Sequence, residues 1–205
     1  MKIILSCEES QVVLEQFLLR GHDAMSCDID YPGAKGLPHY QGDVLDIIND
    51  GWDMMIAFPP CTHLAVSGAK HFPEKRADGR QKEAIDFFMK MVNAPIGKIA
   101  IENPVGIMST EYRKPDQIIQ PYYFGDTSRK TTCLWLKNLP PLFHAKETDL
   151  FNEEITHVEP DIYVCKNGKT FSRDYMVSLH AGKDRGHLRS KTYLGIAKAM
   201  AEQWG

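Results

Sequence analysis

Phe58-Pro59-Pro60-Cys61-Thr62 closes a short apolar run and delivers a thiol on a stiff backbone. Each proline fixes its own φ, so Cys61 has few alternative positions. Small residues follow (Ser67, Gly68, Ala69) and let the chain pass close to a ligand. A cysteine acts as a nucleophile in its thiolate form, which needs nearby positive charge, a helix N-terminus or a proton acceptor. The other reading of Cys61 is a structural thiol. Further on, Ile101-Glu102-Asn103-Pro104 places a carboxyl group where another apolar run ends. Burial would keep Glu102 protonated and able to donate a hydrogen bond. A turn residue is the alternative, since Asn-Pro starts turns. Two acids follow earlier runs: Asp28, with Asp30 beyond it, and Asp43 after Gly42. An acid after the second strand of a doubly wound sheet commonly accepts hydrogen bonds from ribose hydroxyls. The plain alternative is a solvated carboxylate.

These residues need a scaffold that gathers strand ends. The first hundred residues alternate strand and helix signals, the mark of a parallel α/β sheet. Strands are expected at Lys2–Ser6, Asp23–Cys27, Asp53–Phe58 and Lys98–Ile101, the last stopped by Glu102-Asn103-Pro104. A helix is expected over Glu9–Arg20, with Val12, Val13, Phe17 and Leu18 inward and Gly21 as its end. Val44–Ile48 reads as a helical turn, and Arg80–Val92 as an amphipathic helix burying Ala84, Ile85, Phe88, Met89 and Val92. Residues 59–79 read as a polar loop. Its part from His63 to Arg80, with Lys70, Lys75, Arg76 and Arg80, is either a mobile lid that closes over phosphates or a solvated loop. Later, Thr131–Leu136 is an expected strand, broken by Asn138-Leu139-Pro140-Pro141. Ile162–Cys165 and Tyr175–Leu179 look strand-like around a turn at Lys166-Asn167-Gly168. Thr192–Trp204 is a closing helix with Ile196, Met200 and Trp204 on one face. The expected fold class is α/β, a doubly wound and mostly parallel sheet. In such a sheet ligands bind beyond the carboxyl ends of the strands.

Composition narrows the class. The 205 residues suffice for one domain with a full core, and the 43 % apolar content is ordinary for a globular protein. No apolar run approaches the roughly 18 residues that span a bilayer. Met1–Leu5 is too short for a signal peptide. A cytoplasmic protein without a membrane partner is expected. The five cysteines are widely spaced, with no Cys-x-x-Cys, which argues against a disulfide framework. His157, Cys165, His180 and His187 do not have the spacing of paired zinc ligands, so no metal is expected. Residues 1–60 hold three basic and ten acidic residues, a net of −7; the remainder hold 21 basic and 17 acidic, a net of +4. A cofactor half and a polyanion-facing half would be charged in this way, as would surface scatter. The sequence carries no signal of oligomeric state.

In the order Ser26-Cys27-Asp28-Ile29-Asp30, Gly42-Asp43-Val44, Phe58-Pro59-Pro60-Cys61 and Glu102-Asn103, the chain resembles the DNA cytosine 5-methyltransferases, within the class I S-adenosylmethionine-dependent fold. Arg129-Lys130-Thr131-Thr132 looks like a reduced form of the family's basic motif, and Ser190–Trp204 is similar in place to its final helix. The likeness covers most of residues 1–136 and about the last 15. It is greatest to the short versions often encoded by phages, which implies a bacterial or phage-infected host cell. The resemblance implies that Cys61 adds to carbon 6 of cytosine and that Glu102 holds the ring's N3 and amino edge. Arg129 or Lys130 would face the base carbonyl. S-adenosylmethionine would be held around Ser6, Glu8, Ser10, Asp28, Ile29, Asp43, Val44, Phe58 and Pro60. Asp28 would take its ribose and Asp43 its adenine amino group. Pro59, Ser67, Asn103, Lys70 and Arg76 would meet the substrate.

The family's glycine-rich turn after the first strand is absent; the chain reads Ser6-Cys7-Glu8-Glu9-Ser10-Gln11. Cofactor binding would then rest on the helix N-terminus near Ser10, with Glu8 or Glu9 meeting the ammonium group. The basic motif also lacks its usual glutamine and second arginine. Residues 1–139 with 188–205 are expected to form the catalytic domain and 140–187 a small recognition-like insertion. In and beside that insertion lie Lys166, Lys169, Arg173, Lys183, Arg185, Arg189, Tyr163, Phe171 and Tyr175. They suit DNA, single-stranded or with weak sequence selection. A free deoxycytidine nucleotide, RNA, or a non-catalytic binding protein on the same fold stay open as alternatives.

Overall fold

Strands form where apolar runs can be buried on both faces of a sheet. In the computed structural model, which describes residues 1–30, 36–145, 156–179, 182 and 192–205, these are β1 (Lys2–Ser6), β2 (Asp23–Asp28), β4 (Met54–Ala57) and β5 (Lys98–Pro104). The short β3 (His39–Gln41) and β6 (Gln117–Ile119) lie at the edges, and β7 (Thr132–Lys137) lies between β5 and β6. The seven-stranded order is β3-β2-β1-β4-β5-β7-β6. The β1–β2, β1–β4, β2–β3 and β4–β5 pairs are parallel; β7 runs antiparallel to β5 and β6. The sheet is mostly parallel, with β7 as its one antiparallel strand. Strand order reverses between β1 and β4, and that switch point opens a crevice at their carboxyl ends.

Alternation along the strands makes two cores. Ile3, Leu5, Met54, Ile56, Ala100 and Leu134 face α1 (Val12–Leu19) and the C-terminal helix. Ile4, Met55, Ala57, Ile99, Ile101 and Trp135 face the helix Arg80–Val92. In the second core the Phe88 ring meets Trp135 edge-on, centroids 5.3 Å apart. Such a pair adds about 0.5–1.5 kcal/mol beyond burial.

Several expectations are corrected. Residues 59–79 are not an open loop: a 3₁₀ turn over Val66–His71 leads into α2 (Phe72–Ala77), and α3 (Arg80–Val92) follows. Leu64, Ala65, Phe72 and Lys75 of this segment are buried. Pro73 near the start of α2 fits a first helical turn, where its missing N–H costs nothing. On α3 the fully buried residues are Gln81, Phe88 and Met91; Ala84, Ile85, Met89 and Val92 are half-buried around them. β5 does not stop before Glu102 but runs on to Pro104, because β7 supplies an antiparallel partner for Glu102, Asn103 and Pro104. After the short α4 (Met108–Glu111), the Tyr175–Leu179 piece belongs to α5 (Arg173–Leu179) and not to a strand. Ile162–Val164 does form a strand, β8, paired with β9 (Thr170–Ser172) in a separate hairpin. The last helix, α6, spans Leu194–Trp204.

Helix α1 begins at Val12, later than expected, because Gln11 sits in the left-handed region at φ 55°. Cys7 does the same at φ 58°. The turn after β1 thus adopts backbone conformations that favour glycine, with side chains in place, at about 1–2 kcal/mol per residue.

Candidate active site

The turn after β4 is held on several sides. Asn103 Nδ2 donates to the Pro59 carbonyl oxygen at 2.7 Å. Lys75 Nζ donates to the Thr62 carbonyl at 2.5 Å, and Gln81 Nε2 to the His63 carbonyl at 3.0 Å. The Cys61 carbonyl accepts from the N–H groups of Leu64 and Ala65, and the Leu64 carbonyl from Ile107. Cys61 itself is half-buried and, like the other four cysteines, not in a disulfide. Pro59 is buried and Pro60 exposed.

Glu102 lies one strand over. Ala57 pairs with Ile101, so Glu102 is level with Phe58, and across β7 it faces Leu134. It shares a small pocket with Phe58, Lys130, Thr132, Thr192 and Tyr193, closed below by Ile196 and Met200 of α6. Burial raises the Glu102 carboxyl above its ordinary value; the Lys130 ammonium and a hydrogen bond with Thr132 pull the other way. A carboxyl in this balance can serve as a hydrogen-bond donor. Lys130 also lies 5.8 Å from the Tyr193 ring centroid, a cation–π contact. Arg129 is turned away. Its guanidinium reaches Thr170 Oγ1 at 3.3 Å and its backbone N–H reaches Ser172 Oγ, both on β9. Of the two basic residues, Lys130 joins Glu102. Cys61 does not line the Glu102 pocket; it stands on the adjoining turn. A larger cleft lies between α3 and the β5–β7 flank, lined by Val92, Ile101, Tyr112, Arg113 and Trp135, and holds none of the expected site residues.

The ends of β1, β2 and β3 form the neighbouring part of the crevice. Asp28 is half-buried and accepts the Asp30 N–H at 3.0 Å; Asp43 is exposed and accepts the Leu45 N–H at 3.0 Å, capping a 3₁₀ turn. The two acids act on the same neighbour. Burial pushes the Cys7 thiol up, and Asp28, Cys27 and Asp43 add to the effect. Cys27 is pushed up to about 12 by burial, Asp28, Asp43 and Asp46. Ile29, 71 % exposed, stands beside Asp28 as an open apolar surface. Ser6 is buried, and its Oγ has no hydrogen-bond partner among the described residues. Two carboxylates, an exposed aliphatic face and an orphaned hydroxyl suit a cationic nucleoside such as S-adenosylmethionine.

Two of the expected cofactor residues have their side chains turned inward. Val44 is 2 % exposed and belongs to the core with Ile4 and Cys27. Glu8 is also 2 % exposed, and its carboxylate is turned onto α1, accepting from the N–H groups of Val13 at 2.6 Å and Leu14 at 3.2 Å. It serves as the helix cap that Gln11 does not provide. Ser10 Oγ lies 3.5 Å from the Val12 N–H, and Glu9 is half-buried.

Among the residues expected to meet substrate, Ser67 and Lys70 are exposed on the turn before α2. Arg76 is committed to Gln81, Nε to Oε1 at 2.8 Å, and Arg80 pairs with Glu74 and Asp78. From the sequence Lys75 is expected only as one cation of a phosphate-facing or solvated loop, and Gln81 is not singled out. An ordinary-looking helical lysine and glutamine give no sign that they fold back onto carbonyls thirteen and eighteen residues earlier. Lys183, Arg185 and Arg189, and with them His180 and His187, lie outside the described residues. No group of three or more metal-ligating side chains occurs among the described residues, and no helix there is long and apolar enough to cross a membrane.

No protein-family model matches the chain, and no curated protein does. One similar solved structure is an E. coli crystal structure described as a "putative DNA modification methyltransferase encoded within prophage Cp". It is 19 % identical, the match covers 77 % of this chain and 52 % of that one, and the TM-score is 0.47. The chain spans about half the length of that protein.

Proposed function

We propose that this chain is an S-adenosylmethionine-dependent methyltransferase that modifies carbon 5 of cytosine in DNA through a covalent adduct on Cys61. The observation that carries the reading is the tie between the turn after β4 and the end of β5. A thiol on a turn fastened to the end of β5 stands beside a pocket in which Glu102 is pushed toward its protonated form next to Lys130.

Carbon 5 of cytosine is a poor nucleophile until a group adds at carbon 6. The Cys61 thiolate forms that bond, and the displaced electron pair moves into the ring. Glu102, holding a proton, donates to N3 and stabilises the added charge, while Lys130 offers positive potential toward the ring oxygen. S-adenosylmethionine, when bound, supplies the electrophilic methyl group. Transfer of the carbon 5 proton to solvent water then re-forms the carbon 5–carbon 6 double bond and expels Cys61 as thiolate. Asp28 and Ile29 would hold the donor's ribose and adenine side, with Asp43 nearby. A base inside a duplex hides carbon 6 in the stack, so duplex DNA would present it flipped out. In this reading residues 1–139 and 188–205 carry the chemistry and 140–187 contact DNA. Arg129, fastened to β9, then belongs to the DNA-facing part.

Methyl transfer from tritiated donor to DNA, and a covalent complex with 5-fluorocytosine DNA, are expected for the wild type and absent in Cys61→Ala. Label on adenine, or transfer that survives Cys61→Ala, would overturn the reading. The inward turn of Glu8 favours a second reading, a DNA-binding protein with no donor site; clear calorimetric binding of S-adenosylmethionine removes it.

A further inference from the structure

Three side chains hold the Cys61 turn by its backbone carbonyls: Asn103 at Pro59, Lys75 at Thr62 and Gln81 at His63. Two of the three are neutral amides, which suffice for a carbonyl. Lys75 is different. It is 8 % exposed, and no acidic side chain pairs with it among the described residues. Burying an ammonium without a counter-charge is costly. A purely mechanical role gives no reason for lysine here, because an amide would meet the same oxygen without that cost. A thiol able to carry a negative charge belongs to Cys61, the residue immediately before the carbonyl that Lys75 holds.

We propose that Lys75 is a positioning residue for Cys61: it fixes the Thr62 carbonyl from α2, and its charge favours the thiolate of the adjoining residue. The inference rests on the reading of Cys61 as the nucleophile. It also gives the folded segment between β4 and α3 a purpose, since α2 brings a cation back to the turn from which the segment starts. In chemical terms, the thiol loses its proton to solvent and the anion left behind lies in the field of a fixed ammonium.

Alkylation of Cys61 by iodoacetamide, followed by peptide mass spectrometry from about pH 6 to 10, reads the thiol directly and needs neither donor nor DNA. In Lys75→Met and Lys75→Gln the rate at neutral pH should fall by about three- to tenfold and converge with wild type at high pH. Lys75→Arg should restore most of the loss. Lys75→Gln keeps a donor for the Thr62 carbonyl, so if Lys75→Met fails to fold by circular dichroism the glutamine variant carries the comparison. A pH profile that superimposes on wild type in the charge-free variants overturns the proposal. The two readings fail separately. Absent DNA methylation with a shifted alkylation profile removes the methylation reading and leaves the Lys75–Cys61 coupling. Normal methylation with an unshifted profile does the reverse.

Discussion

The Asn103 amide donates to the Pro59 carbonyl oxygen at 2.7 Å, so the end of β5 fastens the turn that leaves β4. Asn103 is buried, and its own Oδ1 has no partner among the described residues. Replacing it with Leu keeps the volume but strands the Pro59 carbonyl. A stability loss of about 1–3 kcal/mol is expected, readable as a shift of the urea midpoint. Any activity that depends on Cys61 should fall further than stability does, since the turn loses its tie to the neighbouring strand.

Glu102 sets a pH dependence whose sign is fixed by burial. Its folded carboxyl keeps its proton to higher pH than the ordinary value near 4.5. Between those two values the native state binds more protons than the unfolded state, so stability is full below the window and falls as pH rises through it. In Glu102→Gln that slope should vanish, and the variant should gain on wild type with rising pH. Denaturant melts at a series of pH values check this. Identical slopes in the two proteins would mean that the carboxyl is not held protonated.

Glu8 caps α1 with both carboxylate oxygens. Glu8→Ala leaves two buried N–H groups without partners and should cost about 1–3 kcal/mol. Glu8→Gln, which keeps one acceptor oxygen, should cost less. The order wild type, Gln, Ala in thermal midpoint is the check.

Gly106 lies so close to the Cys61 segment that a Cβ there would come within 2.5 Å of the Leu64 carbonyl oxygen. That carbonyl also accepts from Ile107, and Ala65 bridges to Gly106. The contact is backbone on backbone and cannot relax by turning a side chain. Gly106→Ala should therefore destabilise by about 1–3 kcal/mol, and should alter the alkylation rate of Cys61 although the residue touches no thiol.

What the sequence revealed follows from how far each signal extends along the chain. β1, β4 and the first half of β5 are contiguous apolar runs whose burial on both faces makes them readable, and β2 carries a shorter signal in Ala24, Met25 and Cys27. β3 and β6 are three-residue edge strands such as His39-Tyr40-Gln41, whose pairing is decided by the neighbour strand and not by their own residues. The Cys61 and Glu102 positions were legible because each follows a buried run directly. Lys75, Gln81 and the cap formed by Glu8 were not, because their partners are set by tertiary folding and polar residues on short helices look alike. Tyr175–Leu179 alternates like a strand, yet folds as helix α5, where the helix packs against the β8–β9 hairpin. Between Arg129 and Lys130, adjacent in sequence, only the direction of the chain entering β7 decides which one meets Glu102.

The left-handed residues Cys7 and Gln11 change what the first turn can evolve to do. A glycine there would expose bare main chain, and recognition written in main-chain atoms is the same whatever the neighbouring residues become. Here the two positions carry side chains as well, and the Gln11 amide reaches Ser26 Oγ, so the surface of the corner can be changed one codon at a time. A single exchange at either position can change that surface while the strand and helix on either side keep their places.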